Sequence, residues 1–355
     1  MSLKIGVAMS GGVDSSAAAW LLRRDGYELL GLTMRLFDGE HGLPCSPDPA
    51  DARRAAEQLG LPHRTLDLAP CFLQKVVEPF VSTYEAGRTP NPCTVCNREL
   101  KFGALLRAAA ELGCDKLATG HYVRLEQDRA AGRWLLRRAA HPEKDQSYVL
   151  YGLSQEQLSR SLFPLGDLSK KEIRELAEAA GLDSARRRDS QDICFVPDGD
   201  YAAFIQTFRG CAPEPGSFVD ESGTVLGTHR GLVHYTVGQR RGLGISSAGG
   251  PLYVKELRPE DNTVVLAEDR ALFSRRLTAD SLNFIPFDRM DRPLRLTARV
   301  RFHMPAQPCT VEQTGPDTAA VCFDSPQRAV TPGQAVVFYD GDLLVGGGTI
   351  RKGDL

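Results

Sequence analysis

SGGVDSS, at residues 10–16, directly follows the apolar run KIGVAM at residues 4–9. The run predicts a buried β-strand, and the stretch AAAWLLRRDG after the serines predicts a helix that stops near Gly26. SGGVDSS is therefore the turn between the two. Gly11 and Gly12 let backbone amides approach a ligand without a side chain in the way, and the start of a helix attracts anions. Ser10, Ser15 and Ser16 can donate to phosphate oxygens, and Asp14 can face a Mg²⁺ ion.

Short apolar runs alternate with helical stretches over the first 200 residues. The predicted strands after the first are ELLGLTMRL, HRTLDL and DKLATG. One of the helices between them contains Pro79, which we expect to kink or split it. Such alternation predicts a parallel sheet covered by helices on both faces. A hairpin is predicted in YVRLEQDRAAGRWLLRRA, and a later helix begins with a capping box at Ser169 and Glu172.

The pattern changes after residue 200. PGSFVDESGTVLGTHRG predicts a hairpin, and the remaining strand-like runs are separated by turns such as PEDN, TGPDT and YDGD. The expected fold class is therefore α/β followed by β. We expect a parallel-sheet domain over residues 1–200, a small central β-hairpin module over 201–270 and a C-terminal β-barrel over 271–355.

The composition is ordinary for a globular protein, with 42% hydrophobic and 25% charged residues. No apolar run approaches the roughly 18 residues of a membrane span, and the N-terminus does not read as a signal peptide. We therefore expect a cytoplasmic protein with no membrane partner, in which nine cysteines are not a disulfide framework. Because the net charge is only −2, nucleic acid would have to bind through local basic patches.

The loop at residues 10–16 lacks the GK[ST] of a Walker A motif. It resembles the PP-loop of the ATP pyrophosphatases, which are adenine nucleotide α-hydrolase-like proteins. That resemblance implies cleavage of ATP between its α- and β-phosphates and transfer of AMP to a carbonyl oxygen, which then leaves in favour of a nitrogen or sulfur nucleophile. The ATP-binding residues that it implies are Ala8, Met9, Ser10, Gly11, Gly12, Val13, Asp14, Ser15, Ser16, Met34 and Gly120. The loop alone leaves amidating synthetases, tRNA lysidine synthetase and thiolation enzymes open.

Three of the cysteines lie in distinctive segments. Cys93 and Cys96 belong to TPNPCTVCN, just before the predicted helix NRELKFGALL. A helix N-terminus lowers the pKa of a thiol, and Arg98 and Lys101 could add to this effect. Cys194 lies in the polar segment DSQDICFVPDGDY, which suits a loop that becomes ordered on binding. The other cysteines stand in no motif, so we expect plain structural thiols at Cys45, Cys71, Cys114, Cys211, Cys309 and Cys322.

A series of segments, in order along nearly the whole chain, resembles the tRNA-specific 2-thiouridylases. They are SGGVDSS, GLTMRL, TPNPCTVCNRELKFG, ATGHY, KDQSYVL, SQDICF, HYTVGQRRGLGI, and RVRF with TPGQAVVFY. The resemblance implies ATP-dependent insertion of sulfur at C2 of the wobble uridine, position 34, in tRNAs for Lys, Glu and Gln. It also implies an upstream cysteine desulfurase or sulfur carrier as a partner.

The family's chemistry makes the C2 oxygen a good leaving group. Adenylation by ATP makes that oxygen part of an AMP leaving group. A persulfide on Cys194 then supplies the nucleophilic sulfur. Cys96 attacks the persulfide or its adduct, which leaves a Cys96–Cys194 disulfide. Closure of the Cys194 loop over the base should exclude water from the adenylate.

Cys93 departs from the best-known members of this family, which carry an aspartate there. An unperturbed thiol has a pKa of ~8.5 and a carboxylate one of ~4, so the aspartate's role does not pass to Cys93. With Cys96 and Cys194 it could instead ligate a [4Fe–4S] cluster whose fourth iron binds hydrosulfide. The sequence leaves the persulfide relay, the cluster and a three-cysteine zinc site open.

The resemblance also implies contacts with tRNA. Asn91, Pro92 and Cys93 would touch the target uridine, which must leave the base stack because C2 is inaccessible within it. The other tRNA contacts that it implies are His121, Lys144, Asp145, Gln146, Arg301, Phe302 and Gln334. Arginines gather on the predicted hairpin, just before Cys194, in VGQRRGLG and near the start of the barrel, a distribution that favours phosphate contacts along an anticodon arm.

Two other functions stay compatible with parts of the sequence. A PP-loop amidating synthetase would need neither Cys96 nor Cys194. A non-catalytic RNA-binding protein would not need the intact loop side chains of Ser10, Asp14 and Ser15.

Overall fold

The computed structural model describes residues 3–37, 39, 43–44, 49–186, 193–245 and 250–354. The expectations for Cys45 and for the arginines at 187 and 188 concern positions outside these ranges. The first three residues of SQDICF, at 190–192, lie outside them as well.

The first 200 residues form strands and helices in alternation. The strands are β1 Lys4–Ala8, β2 Glu28–Arg35, β3 His63–Asp67, β4 Lys116–Ala118, β5 Val123–Asp128, β6 Arg133–Arg138 and β7 Ser161–Leu162. The α-helices are α1 Val13–Arg24, α2 Ala50–Gln58, α3 Ala69–Phe72, α4 Glu78–Glu85, α5 Pro92–Val95, α6 Leu106–Glu111, α7 Gln155–Ser159 and α8 Lys170–Ala179.

A five-stranded parallel sheet organises this part, in the order β3-β2-β1-β4-β7. The predicted α/β architecture is confirmed. β1 is central, because the chain builds outward to β2 and β3 on one side and later to β4 and β7 on the other. Ligands of such sheets bind beyond the carboxyl end of the strand where the order reverses, and the SGGVDSS loop follows that end of β1.

Two of the helices contain π-helical segments. The first, Leu73–Val77, joins α3 to α4 directly before Pro79. Proline lacks a backbone donor and its ring crowds the preceding turn, so the wider π turn accommodates it without ending the helix. The second segment, Cys96–Leu105, joins α5 to α6 and begins at a cysteine singled out by the sequence.

The second half of the chain is mainly β, as its turn-rich pattern predicts. After α9 Tyr201–Arg209 come β8 Gly216–Val219, β9 Val225–His229, β10 Tyr253–Arg258, β11 Thr263–Ala267, β12 Phe273–Phe284, β13 Leu294–Arg299, β14 Gln307–Gly315, β15 Thr318–Arg328, β16 Ala335–Asp340 and β17 Leu343–Asp354. A four-stranded sheet, β10-β11-β8-β9, includes the predicted β8–β9 hairpin. The strands β12-β15-β14-β13-β16-β17 close into a barrel because β12 also pairs with β17.

The predicted hairpin in the first half joins the barrel. β5 and β6 pair as expected, but β6 then pairs with β17, with Arg137 opposite Leu343. Leu136 belongs to a hydrophobic cluster that also contains Tyr339 and Leu344 of the barrel. The hairpin thus extends the barrel sheet, although its sequence lies among the strands of the parallel sheet.

Within the described ranges, no helix combines the length and apolar character needed to cross a membrane.

Candidate active site

The SGGVDSS loop is fixed by its glycines and serines. Gly11 has a φ of +78°, and a Cβ there would lie 2.7 Å from the Cβ of Asp51, so glycine is required. The hydroxyls of Ser15 and Ser16 donate to the Gly12 carbonyl at 3.1 and 3.0 Å. Ser16 is fully buried, so in this arrangement it shapes the loop and does not reach a phosphate.

The other residues expected at the ATP site surround this loop. A Cβ on Gly120 would lie 2.8 Å from the carbonyl carbon of Asp14, so the ATG turn after β4 packs directly on the loop. Met34 is half-buried near the end of β2, and Ala8 is half-buried at the end of β1. Met9 and Val13 are 2% and 3% exposed. Their side chains therefore support the loop from the core.

Asp14 has two side-chain partners. The Tyr122 hydroxyl donates to its Oδ1 at 2.5 Å, and Lys170 Nζ donates to Oδ1 and Oδ2 at 2.8 and 2.9 Å. The Lys170 side chain is only 14% exposed. Its ammonium group therefore supplies a fixed positive charge at the loop expected to bind the phosphates.

The helix that carries Cys93 and Cys96 begins earlier than the sequence suggests. α5 starts at Pro92, and the Oδ1 atom of its N-cap Asn91 accepts a hydrogen bond from the Thr94 amide at 3.4 Å. Cys93 lies in the first turn and is exposed, whereas Cys96 lies in the second turn and is half-buried.

The expectation of a lowered thiol pKa is therefore wrong for Cys96. Burial raises the pKa of Cys96 to about 11, with Lys101 opposing and Cys93 adding to the increase. The attraction of a helix terminus for anions fades beyond the first turn, so α5 offers Cys96 little help. Loss of hydration likewise raises the pKa of Cys194, and Cys96 and Cys93 are the next largest causes.

The fold brings the three thiols of interest close enough to influence one another's ionisation. Each of Cys93 and Cys96 influences the ionisation of Cys194, although Cys96 and Cys194 are 98 positions apart (194 − 96). None of the three forms a disulfide bond with another described cysteine. Of the remaining cysteines that are described, Cys114 and Cys309 are buried and Cys71 is half-buried, as suits structural thiols, whereas Cys211 and Cys322 are exposed.

A metal site at these thiols is not supported by their arrangement. In the part of the chain that the structure describes, no three His, Cys, Asp or Glu side chains are placed to hold a metal ion. Cys93, Cys96 and Cys194 therefore do not form the ligand set that a [4Fe–4S] cluster or a zinc ion would need.

Lys101 is a cation that acts on both Cys96 and Cys194. It follows Cys96 by five residues inside the π-helical segment, and π-helices pair residue i with i+5, so the two lie one turn apart on the same face. The half-buried Lys101 forms no hydrogen bond or ion pair within the described ranges. Its charge lowers the pKa of Cys96, Cys194 and His121.

Two residues expected to contact tRNA are internal. His121 is 8% exposed and shares a 2.8 Å hydrogen bond with Thr119. Burial lowers the pKa of His121 well below its ordinary value, so the ring is neutral. The side chain of Asp145 is fully buried, accepts a bond from the Ser147 hydroxyl at 3.0 Å and pairs with Arg299 at 3.3 Å. Direct contact of either with tRNA would need a rearrangement.

The other expected tRNA contacts are half-buried and mostly engaged. Gln146 accepts from the Tyr122 amide at 3.0 Å, and Lys144 is half-buried beside it. Arg301 donates to two carbonyls and, at 2.7 Å, to the Thr331 hydroxyl. The ring of Phe302 packs edge-on against Tyr148, with centroids 5.8 Å apart.

Three arginines of the hairpin have acidic partners, whereas two nitrogens of Arg138 are buried without a hydrogen-bond partner among the described residues. Arg124 and Arg137 donate to the two carboxylate oxygens of Asp342 at 2.7 and 2.6 Å. Arg133 pairs with Asp288 at 2.9 Å. The positive charge of these three arginines is thus balanced by carboxylates within the protein.

Comparison with known proteins identifies the family. The chain is 48% identical over 357 residues to the tRNA-specific 2-thiouridylase MnmA of Carboxydothermus hydrogenoformans, covering 98% of each chain. The chain belongs to the tRNA-specific 2-thiouridylase family. The protein of the same name from Clostridioides difficile is 44% identical over 358 residues, 99% of each chain. The one from Koribacter versatilis is 48% identical over 365 residues, 98% of each chain.

Three family models cover most of this 2-thiouridylase family member. The model described as a tRNA methyl transferase HUP domain matches residues 3–198. Those described as a tRNA methyl transferase PRC-barrel domain and an aminomethyltransferase β-barrel domain match 202–268 and 274–350.

A cavity lies behind the cysteine helix of this family member. Its volume is about 170 Å³. It is lined by Val76, Pro79, Phe80, Thr83, Arg88, Pro90, Asn91, Pro92, Thr94, Val95, Tyr151, Gly333, Ala335 and Thr349. Asn91 and Pro92 face this space, whereas Cys93 and Cys96 do not line it.

Sequence reasoning missed Lys170. It stands in SKKEIR, where the capping box predicts only the start of a helix, and its partner Asp14 is 156 positions away. Nothing local links the two. The pairing arises because α8 packs against α1, which the sheet order places beside the loop.

Proposed function

We propose that this protein is an ATP-dependent tRNA uridine 2-sulfurtransferase that acts on the wobble uridine of tRNAs for Lys, Glu and Gln. The observation that carries the proposal is the electrostatic grouping of Cys96 with Cys194 in a fold whose first sheet presents a PP-loop. Near-full-length similarity to 2-thiouridylases supports the choice of reaction. A cytoplasmic location and a division at residues 200 and 270 belong to the same proposal.

The first half-reaction would take place at the SGGVDSS loop. Its backbone amides and the start of α1 bind the phosphates, while Gly120 leaves room beside Asp14. The uridine C2 oxygen attacks the α-phosphorus of ATP, and pyrophosphate leaves. Mg²⁺ needs few protein ligands when substrate phosphates provide the rest, and Asp14 would be its protein ligand. Lys170 would then release the Asp14 carboxylate and bind the phosphates instead. The positive charge of Lys170 would thus stay at the loop.

The second half-reaction would use the paired cysteines. The terminal sulfur of a Cys194 persulfide attacks C2 and AMP departs, so the base is joined to Cys194 through a disulfide bond. The Cys96 thiolate attacks the Cys194 sulfur, which breaks that bond and releases 2-thiouridine. A Cys96–Cys194 disulfide remains. Two electrons from an external thiol reductant reduce it and regenerate both thiols. A cysteine desulfurase or sulfur carrier would renew the persulfide.

The burial of Cys96 means that its thiol must lose a proton before it can react. With a pKa of about 11, the Cys96 thiol is protonated at neutral pH. Only the thiolate attacks a disulfide, so a cation that lowers the pKa of Cys96 promotes this step. Lys101 already has that effect on Cys96.

The proposal is tested by separating the two half-reactions. We expect Cys96→Ser and Cys194→Ser to keep tRNA-dependent pyrophosphate release but to lose 2-thiouridine formation, measured by nucleoside mass spectrometry, by more than about a hundredfold. Cys322→Ser, at an exposed barrel position, serves as the matched control and should retain both activities.

Other outcomes would identify the rivals. Full thiolation by both variants would overturn the sulfur roles, and amidation with ammonia would point to a synthetase. tRNA binding by the unaltered protein without pyrophosphate release would indicate a non-catalytic RNA-binding protein. Cys93→Ser distinguishes the sulfur routes, because the relay does not use Cys93. Loss of thiolation in this variant, together with iron in anaerobically purified protein, would replace the relay with a cluster.

A further inference from the structure

A turn of the barrel contacts the backbone directly before the cysteine helix. We call residues 331–334, with the sequence TPGQ, the barrel turn. Gln334 Nε2 donates to the carbonyls of Thr89 and Pro90 at 3.1 and 3.0 Å. The Thr89 amide in turn donates to the Pro332 carbonyl at 2.9 Å. Two backbone carbonyls and one amide of the segment entering α5 are thus satisfied by the barrel.

The approach of the two backbones depends on a glycine. Gly333 has a φ of +90°, and a Cβ there would lie 2.8 Å from the Thr89 carbonyl oxygen and 3.0 Å from the Thr89 nitrogen. A side chain would therefore both strain the turn and push it away from the cysteine segment. The turn is itself anchored, since the Gly333 amide donates to the Ile350 carbonyl at 2.8 Å.

A second link joins the next residues. Tyr148 is fully buried and donates its hydroxyl to the Ala335 carbonyl at 2.8 Å. The Asn91 side chain lies close enough to this hydroxyl to lower its pKa, although burial raises that pKa overall. The N-cap residue of α5 therefore lies beside the tyrosine that bonds the strand following the barrel turn.

We propose that Gln334 and the barrel turn are a positioning device that sets the place of Cys93 and Cys96 before any tRNA binds. Gln334 acts through the backbone of Thr89 and Pro90 and is a positioning residue. The inference rests on the proposed function for its catalytic consequence. Its structural consequence, the restraint of the cysteine segment in the free protein, can be measured without turnover.

The test replaces the hydrogen-bond donor of Gln334 with an acceptor while keeping the size of the side chain. Gln334→Glu puts a carboxylate against two carbonyl oxygens, so both hydrogen bonds are lost. We expect iodoacetamide to alkylate the half-buried Cys96 about tenfold faster in the free variant. We also expect kcat for thiolation to fall about tenfold while KM for tRNA stays within about twofold. Gly333→Ala should reproduce the alkylation change without altering Gln334.

The control and the contrary outcome are well defined. Gln313→Glu changes a barrel glutamine whose amide bonds Met290 and Pro316, and it should leave cysteine alkylation unchanged. Unchanged alkylation in both Gln334→Glu and Gly333→Ala would overturn the proposal, and a raised KM for tRNA would then make Gln334 a direct tRNA contact. If Gln334→Glu fails to fold, Gln334→Met, which removes the donor without adding charge, takes its place. If the unaltered protein does not thiolate tRNA, the alkylation rates still decide the positioning role.

Discussion

At the scale of single residues, Lys101 matters because it lowers the pKa of two thiols whose pKa is raised by burial. The sequence suggested that both Arg98 and Lys101 could assist the cysteines. In the folded chain Arg98 Nε donates to Glu99 at 2.8 Å and its side chain is 47% exposed. Lys101, by contrast, lowers the pKa of Cys96 and Cys194. The two cations thus differ in what they can do for a thiolate.

Replacing Lys101 by Met should slow sulfur transfer. Without the cation the Cys96 thiolate is less populated, and each tenfold loss corresponds to about 1.4 kcal/mol. We expect kcat for 2-thiouridine formation to fall roughly tenfold, with KM for ATP and the rate of pyrophosphate release unchanged. Lys101→Arg should restore much of the rate. Arg98→Met is the matched control, and an equal loss in that variant would mean that general surface charge, not Lys101, governs the thiols.

Some residues of the site could be predicted from the sequence, and others could not. The loop glycine Gly11 is recognisable because a strand-to-helix turn at a phosphate site requires it. The pKa of Cys96 was not predictable, because it depends on burial and on where α5 begins. The partners of His121 and Asp145 are equally hidden, since they come from tertiary packing.

At the scale of elements, the capping box of α8 holds Lys170 at the loop. The Ser169 hydroxyl accepts from the Glu172 amide at 3.3 Å, and Glu172 accepts from the Ser169 amide at 2.8 Å. Lys170 is the first residue of this helix. The cap therefore fixes the residue that pairs with Asp14.

Ser169→Ala should affect both stability and nucleotide binding. Loss of an N-cap costs ~1 kcal/mol of unfolding free energy, measurable by chemical denaturation. We also expect MgATP to bind about threefold more weakly, the scale of a loosened ion pair. Ser154→Ala removes the matching capping box of α7, a helix that packs against β6 and β7. This variant should lose similar stability but bind MgATP as the unaltered protein does. Weaker ATP binding in both variants would mean that the loss does not act through Lys170.

Elements themselves were largely predictable, because they rest on local patterns. The strands of the parallel sheet, the capped α8 and both hairpins follow from periodicity, caps and turn residues. The π-helical segments were not predictable, since they reflect how Pro79 and the cysteine helix are accommodated in the packed protein. The pairing of the first hairpin with β17 depends on contacts more than 200 positions apart.

At the scale of the whole molecule, the barrel and the parallel-sheet domain pack against each other through a common hydrophobic cluster. One hydrophobic cluster contains Leu32 and Phe102 from the first part and Val337 and Leu344 from the barrel. The barrel turn and the hairpin add polar contacts across the same boundary. A sequence read as successive segments predicts each part but not this coupling.

The distribution of unpaired arginines gives a prediction about tRNA binding. Arg240 and Arg241 are exposed, and neither has an acidic partner among the described residues. Arg137 is paired with Asp342 and Glu126. Phosphate contacts release counterions, so each contact contributes about 0.7–0.9 to the slope of log K against log salt. Only the unpaired arginines should contribute.

We therefore expect Arg240→Gln to reduce the salt slope of tRNA binding by about one unit and to weaken binding uniformly across tRNA sequences. Arg137→Gln, the control, should leave the slope unchanged, because its charge is already balanced inside the protein. The slope is obtained from dissociation constants measured by fluorescence anisotropy over a range of salt concentrations. A reduced slope for Arg137→Gln alone would mean that its ion pairs open when tRNA binds. The hairpin, not the central module, would then be the phosphate-binding surface.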